Sequence, residues 1–259
     1  MARESKKTET KKRPAIRWRL WAWTAVGCIV CVSTGWAGLK VREFALVDPQ
    51  FKLLRDKPQA FTISGLKYTS RAKVMRVFAG DFGHSIFSIP LEERRRRLLA
   101  IDWVEDATVL RIWPDRLTVE IRERKPVAFV FFRSGVLLID GDGVLLDPPA
   151  QAQFTFPVLS GVREEESDER RRERVRAMLR VQDDLGYLAK DVSEVNVADG
   201  DNVRIVAQVD QRALELILGD SNYARRYQNF INHYAEIRKR SPEVKTFDLR
   251  LDDRITTKD

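Results

Sequence analysis

The sequence predicts an α+β protein: a single N-terminal transmembrane helix, a small β-α-α-β-β module, and a mostly antiparallel β domain with a packed C-terminal helix. Three observations predict it. Residues 20–39 carry no charged side chain. Residues 61–126 read in order as strand, helix, helix, strand, strand. From Pro126 onward, short alternating strands separated by Asp/Gly turns lead into a helix with one continuous aromatic stripe. A chain of 259 residues, 44% hydrophobic and 32% charged, is long enough for two modest domains and too apolar to be disordered.

The formal charge of +8 is concentrated at one end. Residues 1–19 hold eight basic groups and two acidic ones, a net of +6, so the rest is nearly neutral and a nucleic-acid reading has no basis. The span that follows, 20–39, reaches roughly 30 Å as a helix, the thickness of a bilayer's hydrocarbon core. Trp18, Trp21 and Trp23 stand at one end and Trp36 at the other, where an apolar ring with a polar N–H prefers the membrane interface. The basic tail puts the N-terminus in the cytoplasm and exports residues 40–259. A cleaved signal peptide has a shorter apolar core, although Gly35-Trp36-Ala37 resembles a cleavage site. Gly27-Cys28 is a weak lipoprotein match, with Ala25 where a larger aliphatic is usual. Cys28 and Cys31, the only cysteines, have C-x-x-C spacing but lie inside the span, where a thiolate or metal ion would be poorly solvated.

Residues 40–60, with Pro49 and Pro58, read as a juxtamembrane stalk. The module then opens with a kinked strand, Phe61 to Leu66. Ser70 caps a helix from Arg71 to Ala79, with Val74, Val77 and Phe78 on one face and Gly80 as its stop. Ser88 and Pro90 open a second helix with Leu91, Leu98 and Leu99 inward. Strands at 104–113 and 116–122 follow; in the second, Leu117, Val119 and Ile121 alternate with polar residues.

The β domain begins with strands at 127–133 and 136–139, the turn Asp140-Gly141-Asp142-Gly143, and Val144 to Leu146. Phe156 to Leu159 reads as a short strand. A charged helix spans 163–185 with a stripe of Val175, Met178, Leu179 and Leu185. Strands at 192–197, 203–209 and 214–218 precede the strongest helix, after Asp220-Ser221. There Tyr223, Tyr227, Phe230, Ile231, Tyr234 and Ile237 form one stripe, with Arg238-Lys239-Arg240 at the C-terminal end and Pro242 as the stop. The final strand, Val244 to Leu251, puts Phe247, Leu249 and Leu251 on one face.

Nothing here assembles a catalytic centre. His84 and His233 have no metal-ligand spacing, and no nucleophile motif or phosphate-binding loop occurs. Asp140 and Asp142, interleaved with glycines, read as a hairpin turn. The runs 94–97 and 170–172 are all arginine, yet consecutive residues spread around a helix and both runs have acidic neighbours; they read as solvated faces. No cofactor, metal or small-molecule substrate is expected.

In order, these strings resemble the FtsQ/DivIB family of bacterial cell-division proteins. Ile63-Ser64-Gly65, Ser70 and Gly83 to Phe87 match its POTRA domain, as does the run Trp103 to Leu117 continuing through Ile121 to Ala128. Leu138 to Gly143, Pro157 to Gly161, Leu218-Gly219, the aromatic helix and Phe247 to Leu251 match its second, β domain. The resemblance covers residues 60–255 and implies the layout 1–19 cytoplasmic tail, 20–39 span, 40–60 stalk, 61–126 POTRA domain and 127–259 β domain. It implies a non-enzymatic scaffold of the divisome in the inner membrane at the septum, linking early and late division proteins, with FtsB- and FtsL-like bitopic partners. It also implies a contact in which a partner segment adds a strand to Thr246, Phe247, Asp248, Leu249, Arg250 and Leu251, with Tyr223, Tyr227 and Tyr234 on the helix behind, and a recruitment surface on the POTRA domain. Core packing is an equally good account of Phe247, Leu249 and Leu251, and a strand can do both. Two rivals remain: a POTRA-bearing envelope transport or assembly factor, which predicts repeated POTRA domains or a barrel, and a membrane-anchored wall-binding module.

Overall fold

The computed structural model describes residues 17–150, 152–251 and 254–258, and side chains from residue 21; the expected basic tail up to residue 16 lies outside them. The first element is α1, Arg17–Val47, a helix of 31 residues and about 46 Å. Its segment Trp21–Val47 has a mean hydropathy of 1.5 and is long and apolar enough to cross a membrane. The hydroxyls inside it are satisfied locally: Thr24 donates to Trp21 O, Ser33 to Val30 O, and Thr34 to Val30 O. Hydroxyls bonded to the preceding turn leave no polar group needing water at that depth.

The chain divides into two compact units interleaved along the sequence: Met1–Thr62, Phe78–Glu92 and Val109–Val119 in one, Ile63–Val77, Glu93–Thr108 and Glu120–Asp259 in the other. In the first unit, residues 40–60 differ from the expected stalk. Residues 40–47 continue α1, because no helix breaker occurs before Pro49. A 3-10 turn, Pro49–Phe51, follows, capped by Asp48, whose carboxylate accepts from Gln50 N at 2.9 Å. Phe51, Leu53 and Ala60 are buried. Leu53 N donates to His84 O and Gly83 N to Leu53 O, fastening this segment alongside residues 83–86.

The strands β1 (Phe61–Ser64), β2 (Val104–Ile112) and β3 (Arg116–Glu123) form a three-stranded sheet in the order β1-β3-β2. The helices α2 (Arg71–Val77) and α3 (Leu91–Leu99) fall where the sequence predicts them. Leu117, Val119 and Ile121 are all buried, as the alternation requires. Gly65 has φ +81°, and a Cβ there would collide with the Ile121 carbonyl, so the kink is glycine-specific.

The second unit carries a nine-stranded sheet. Its strands are β4 (Pro126–Phe132), β5 (Gly135–Asp140), β6 (Leu145–Leu146), β7 (Val158–Ser160), β8 (Val192–Asn196), β9 (Val203–Val209), β10 (Arg212–Gly219), β11 (Thr246–Asp248) and β12 (Thr256–Lys258). The order is β12-β11-β10-β9-β8-β7-β4-β5-β6. Most pairings are antiparallel; β10/β11, β4/β7 and β7/β8 are parallel. The core joins this sheet to α4 (Asp168–Leu185) and α5 (Tyr223–Arg240).

The helix expected from residue 163 begins instead at Asp168, because Ser167 caps it by accepting from Arg170 N. Its inward residues are Val175, Met178, Val181 and Leu185; Leu179 is exposed. The arginine runs are not simply solvated. Arg95 donates to Ala107 O and Asp106, each at 2.8 Å, while Arg171 donates to Gly143 O and Arg174 to Val197 O. These guanidinium groups satisfy carbonyls at the ends of neighbouring elements.

A second apolar cluster lies within this unit. Trp103, Leu138 and Leu146 are buried together, with Tyr68, Phe129, Phe154 and Phe156 packed around them. The Trp103 indole N–H donates to Asp147 O at 2.9 Å. That cluster groups residues 63–77 and 93–108 with the larger sheet.

Candidate partner interface

The candidate contact is built on α5 and the C-terminal strands. On α5, Tyr227, Phe230 and Tyr234 are buried and Tyr223 is half-buried. Phe247 on β11 is 1% exposed, with its ring 4.9 Å from Phe230 and 6.4 Å from Tyr234. Burial pushes the Tyr227 hydroxyl up to about 12, with the nearby Asp191 charge adding to it. Tyr223 is raised by its partial burial and then by Asp220. Tyr227, Tyr234, Phe247 and Leu249 therefore fasten α5 to the sheet and cannot meet a partner directly. The half-buried Thr246 and Asp248 flank Phe247, and Arg250 is exposed.

The expected strand from 244 to 251 is shorter than predicted. Only Thr246–Asp248 pairs with β10, in parallel, matching Glu215, Leu216 and Ile217 to Thr246, Phe247 and Asp248. Leu249 N still donates to Ile217 O, but Leu251 sits in a bend and is 55% exposed, so it does not share the inward face of Phe247 and Leu249. Arg250 holds that departure in place: its Nε and Nη2 donate to Asp248 and its Nη1 to Asn202 Oδ1 at 2.8 Å.

β11 is not the margin of the sheet. β12 pairs outside it antiparallel, matching Thr256, Thr257 and Lys258 to Asp248, Phe247 and Thr246. Among the described residues β12 ends the nine-stranded order, and its Thr256 and Thr257 are exposed. The sequence does contain a signal for it, since Ile255-Thr256-Thr257 is a β-branched run after an Asp-Asp pair. Beside it two clefts run along α5. One, of about 340 Å³, is lined by Arg225, Asn229, Leu249, Leu251 and Ile255 among others. The other, of about 390 Å³, is lined by His233, Glu236, Arg240, Arg254 and Ile255 among others.

Elsewhere, Asp140 acts as a turn residue. Its Oδ1 accepts from Asp142 N and Val144 N, and its Oδ2 from Arg124 at 2.7 Å. No group of three metal-ligating side chains occurs among the described residues. Trp21 and Trp36 project from α1, 74% and 65% exposed; Trp18 lies on the same helix, its side chain outside the described residues.

Residues 57–124 match the family described as POTRA domain, FtsQ-type, and residues 128–250 match Cell division protein FtsQ/DivIB, C-terminal. The chain is similar to the cell division protein FtsQ of Koribacter versatilis (strain Ellin345), with 33% identity over 236 residues, covering 89% of this chain and 67% of that protein. It is similar to that of Bordetella pertussis, 30% identical over 138 residues, covering 51% and 48% respectively. The Geotalea daltonii protein of the same name is 23% identical over 241 residues, covering 90% and 84%. The chain spans about half to two thirds of the length of the Koribacter and Bordetella relatives.

Proposed function

Because the chain belongs to the FtsQ/DivIB family of cell-division proteins, we propose that it is a non-enzymatic scaffold of the divisome, linking early and late division proteins at the septum. In this reading α1 spans the inner membrane with the basic tail in the cytoplasm. The domains run as 61–126 for POTRA and 127–259 for the β domain, both outside the cytoplasm. The partners are FtsB- and FtsL-like bitopic proteins. A segment of one adds as a strand alongside β12, with Thr246 to Leu251 and α5 forming the bed behind it.

The observation that carries this reading is the outer margin of β12. A strand with no neighbour on one side, among the described residues, offers backbone N–H and C=O groups to an incoming chain. Proline removes such a donor and is tolerated only where no ladder bond is needed. The test replaces the only cellular copy with full-length Thr256→Pro or Thr257→Pro, fused to a fluorescent protein. The expected result is full membrane levels, with mid-cell recruitment of the bitopic partners and their co-purification lost in at least one variant. Normal septation and partner recovery in both variants, and in a chain lacking 255–259, would sink the proposal.

A further inference from the structure

Four aromatic rings meet where α1 ends. Phe44, in the last turn of α1, meets Phe51 edge-on with centroids 5.6 Å apart. Phe51 lies 5.4 Å from Phe87 and 5.3 Å from Trp113, and Phe87 and Trp113 are 6.3 Å apart. Of the four only Phe51 is buried; Trp113 is 66% exposed, Phe44 52% and Phe87 36%. Leu110 and Ile112, on the strand leading to Trp113, are also exposed. Contiguous apolar surface of this kind on a folded domain marks something that covers it. The cluster is fixed to the helix: the Ser85 hydroxyl donates to Ala45 O at 2.6 Å, Asp48 N donates to Phe44 O, and Ile86 N donates to Phe51 O. All of these residues belong to one compact unit.

The position of the cluster along α1 identifies the cover. Leu39 closes the charge-free run and Phe44 lies five residues further on, or about 7–8 Å along the axis at about 1.5 Å per residue. A bilayer's headgroup layers are each roughly 5–7 Å deep outside a core of about 30 Å. Phe44 and the rings that touch it therefore stand at headgroup depth, where aromatic side chains are favoured and an indole N–H finds acceptors. We infer that Phe44, Phe87 and Trp113 form an aromatic foot resting in the lipid headgroup layer on the side where α1 emerges. The foot limits how far this unit can tilt away from the membrane. The inference rests on α1 spanning the bilayer.

The test uses the full chain with Cys28→Ala and Cys31→Ala, one copy per lipid nanodisc, with a nitroxide attached through Trp113→Cys. Collision with dissolved oxygen and with a water-soluble nickel complex is measured by power saturation. The same label at Val32→Cys, mid-span, and on free glutathione gives the lipid and water references. The expected result is nickel accessibility several-fold below the glutathione reference, with an oxygen-to-nickel ratio between the two references. A Trp113 label as nickel-accessible as the free label, while the Val32 label reads as lipid, overturns the foot and leaves the anchor standing. A Val32 label that reads as water overturns the anchor, and the foot with it. Quenching by brominated lipid, compared between the unlabelled chain and Trp113→Phe, repeats the measurement without a label. Equal quenching in the two also overturns the foot.

Discussion

Replacing Phe247 with alanine separates a core side chain from a contact side chain. The ring is 1% exposed and touches Phe230 and Tyr234, so its loss removes buried surface and leaves a cavity between α5 and β11. Phenylalanine-to-alanine changes in such sites cost about 3–5 kcal/mol. Leu251, four residues on, is 55% exposed, and alanine there should cost less than about 0.5 kcal/mol. The assay is urea unfolding of the full chain in nanodiscs, followed by near-UV circular dichroism. With a urea slope of about 2–3 kcal/mol per molar, the Phe247→Ala midpoint should fall by about 1–2 M. The Leu251→Ala midpoint should barely move. Equal shifts for the two would refute the packing argument. The result bears on function as well: a division defect from a change at Phe247 would report a damaged sheet, whereas one from Leu251 would report a lost contact.

Three further outcomes follow from buried polar groups. The Tyr234 hydroxyl is buried without a hydrogen-bond partner, so Tyr234→Phe should leave stability unchanged or raise it by about 1 kcal/mol in the same urea titration. Asp140→Ala should cost about 3–5 kcal/mol, because it strips the counter-charge from the largely buried Arg124 and unties the Val144 turn; a loss below about 1 kcal/mol would show the pair to be dispensable. Burial pulls the Glu123 carboxyl upward, but the backbone N–H groups of Lys67, Tyr68 and Thr69 outweigh it and hold it below its ordinary 4.5. A depressed carboxyl contributes stability that is complete above that ordinary value and lost as pH falls through the folded one. Midpoints measured from pH 6 down to pH 3 should therefore fall less steeply in Glu123→Gln than in the unsubstituted chain, and parallel slopes would contradict this account.

What was legible in the sequence was local. Leu117, Val119 and Ile121 alternate at period two and are all buried; the stripe on α5 delivers Tyr227, Phe230 and Tyr234 to the core. On α4 the stripe was misplaced by one position. At about 100° per residue, Val175, Met178, Val181 and Leu185 share an arc of about 120°, and Leu179 falls more than about 100° from its centre. The terminal strand was missed in part because pairing is not local. β10 and β11 are parallel, so their register depends on the intervening helix, and β12 is three residues whose only described ladder is to β11. The continuation of α1 to Val47 was hidden by reading Lys40, Arg42 and Glu43 as an end to the helix, when they end only the charge-free run. Charge limits a membrane span; it does not break a helix.

The presence of β12 changes where affinity must come from in the proposed contact. An incoming strand beside three residues gains only a few backbone hydrogen bonds, each worth about 0.5–1.5 kcal/mol net. That sum, about 2–4 kcal/mol, corresponds to dissociation constants around a millimolar or weaker. Main-chain pairing would then set register and orientation, while holding the partner would need apolar surface close by. Leu251 is exposed and Ile255 half-buried at the mouths of the two clefts along α5, and burying one such side chain adds about 1.5–3 kcal/mol. The bend that takes Leu251 out of the inward face, held by Arg250 against Asp248 and Asn202, is thus what leaves an aliphatic side chain next to the open backbone. The same departure from the sheet that defeated the sequence-based expectation for Leu251 is the feature that would let a short margin bind a partner.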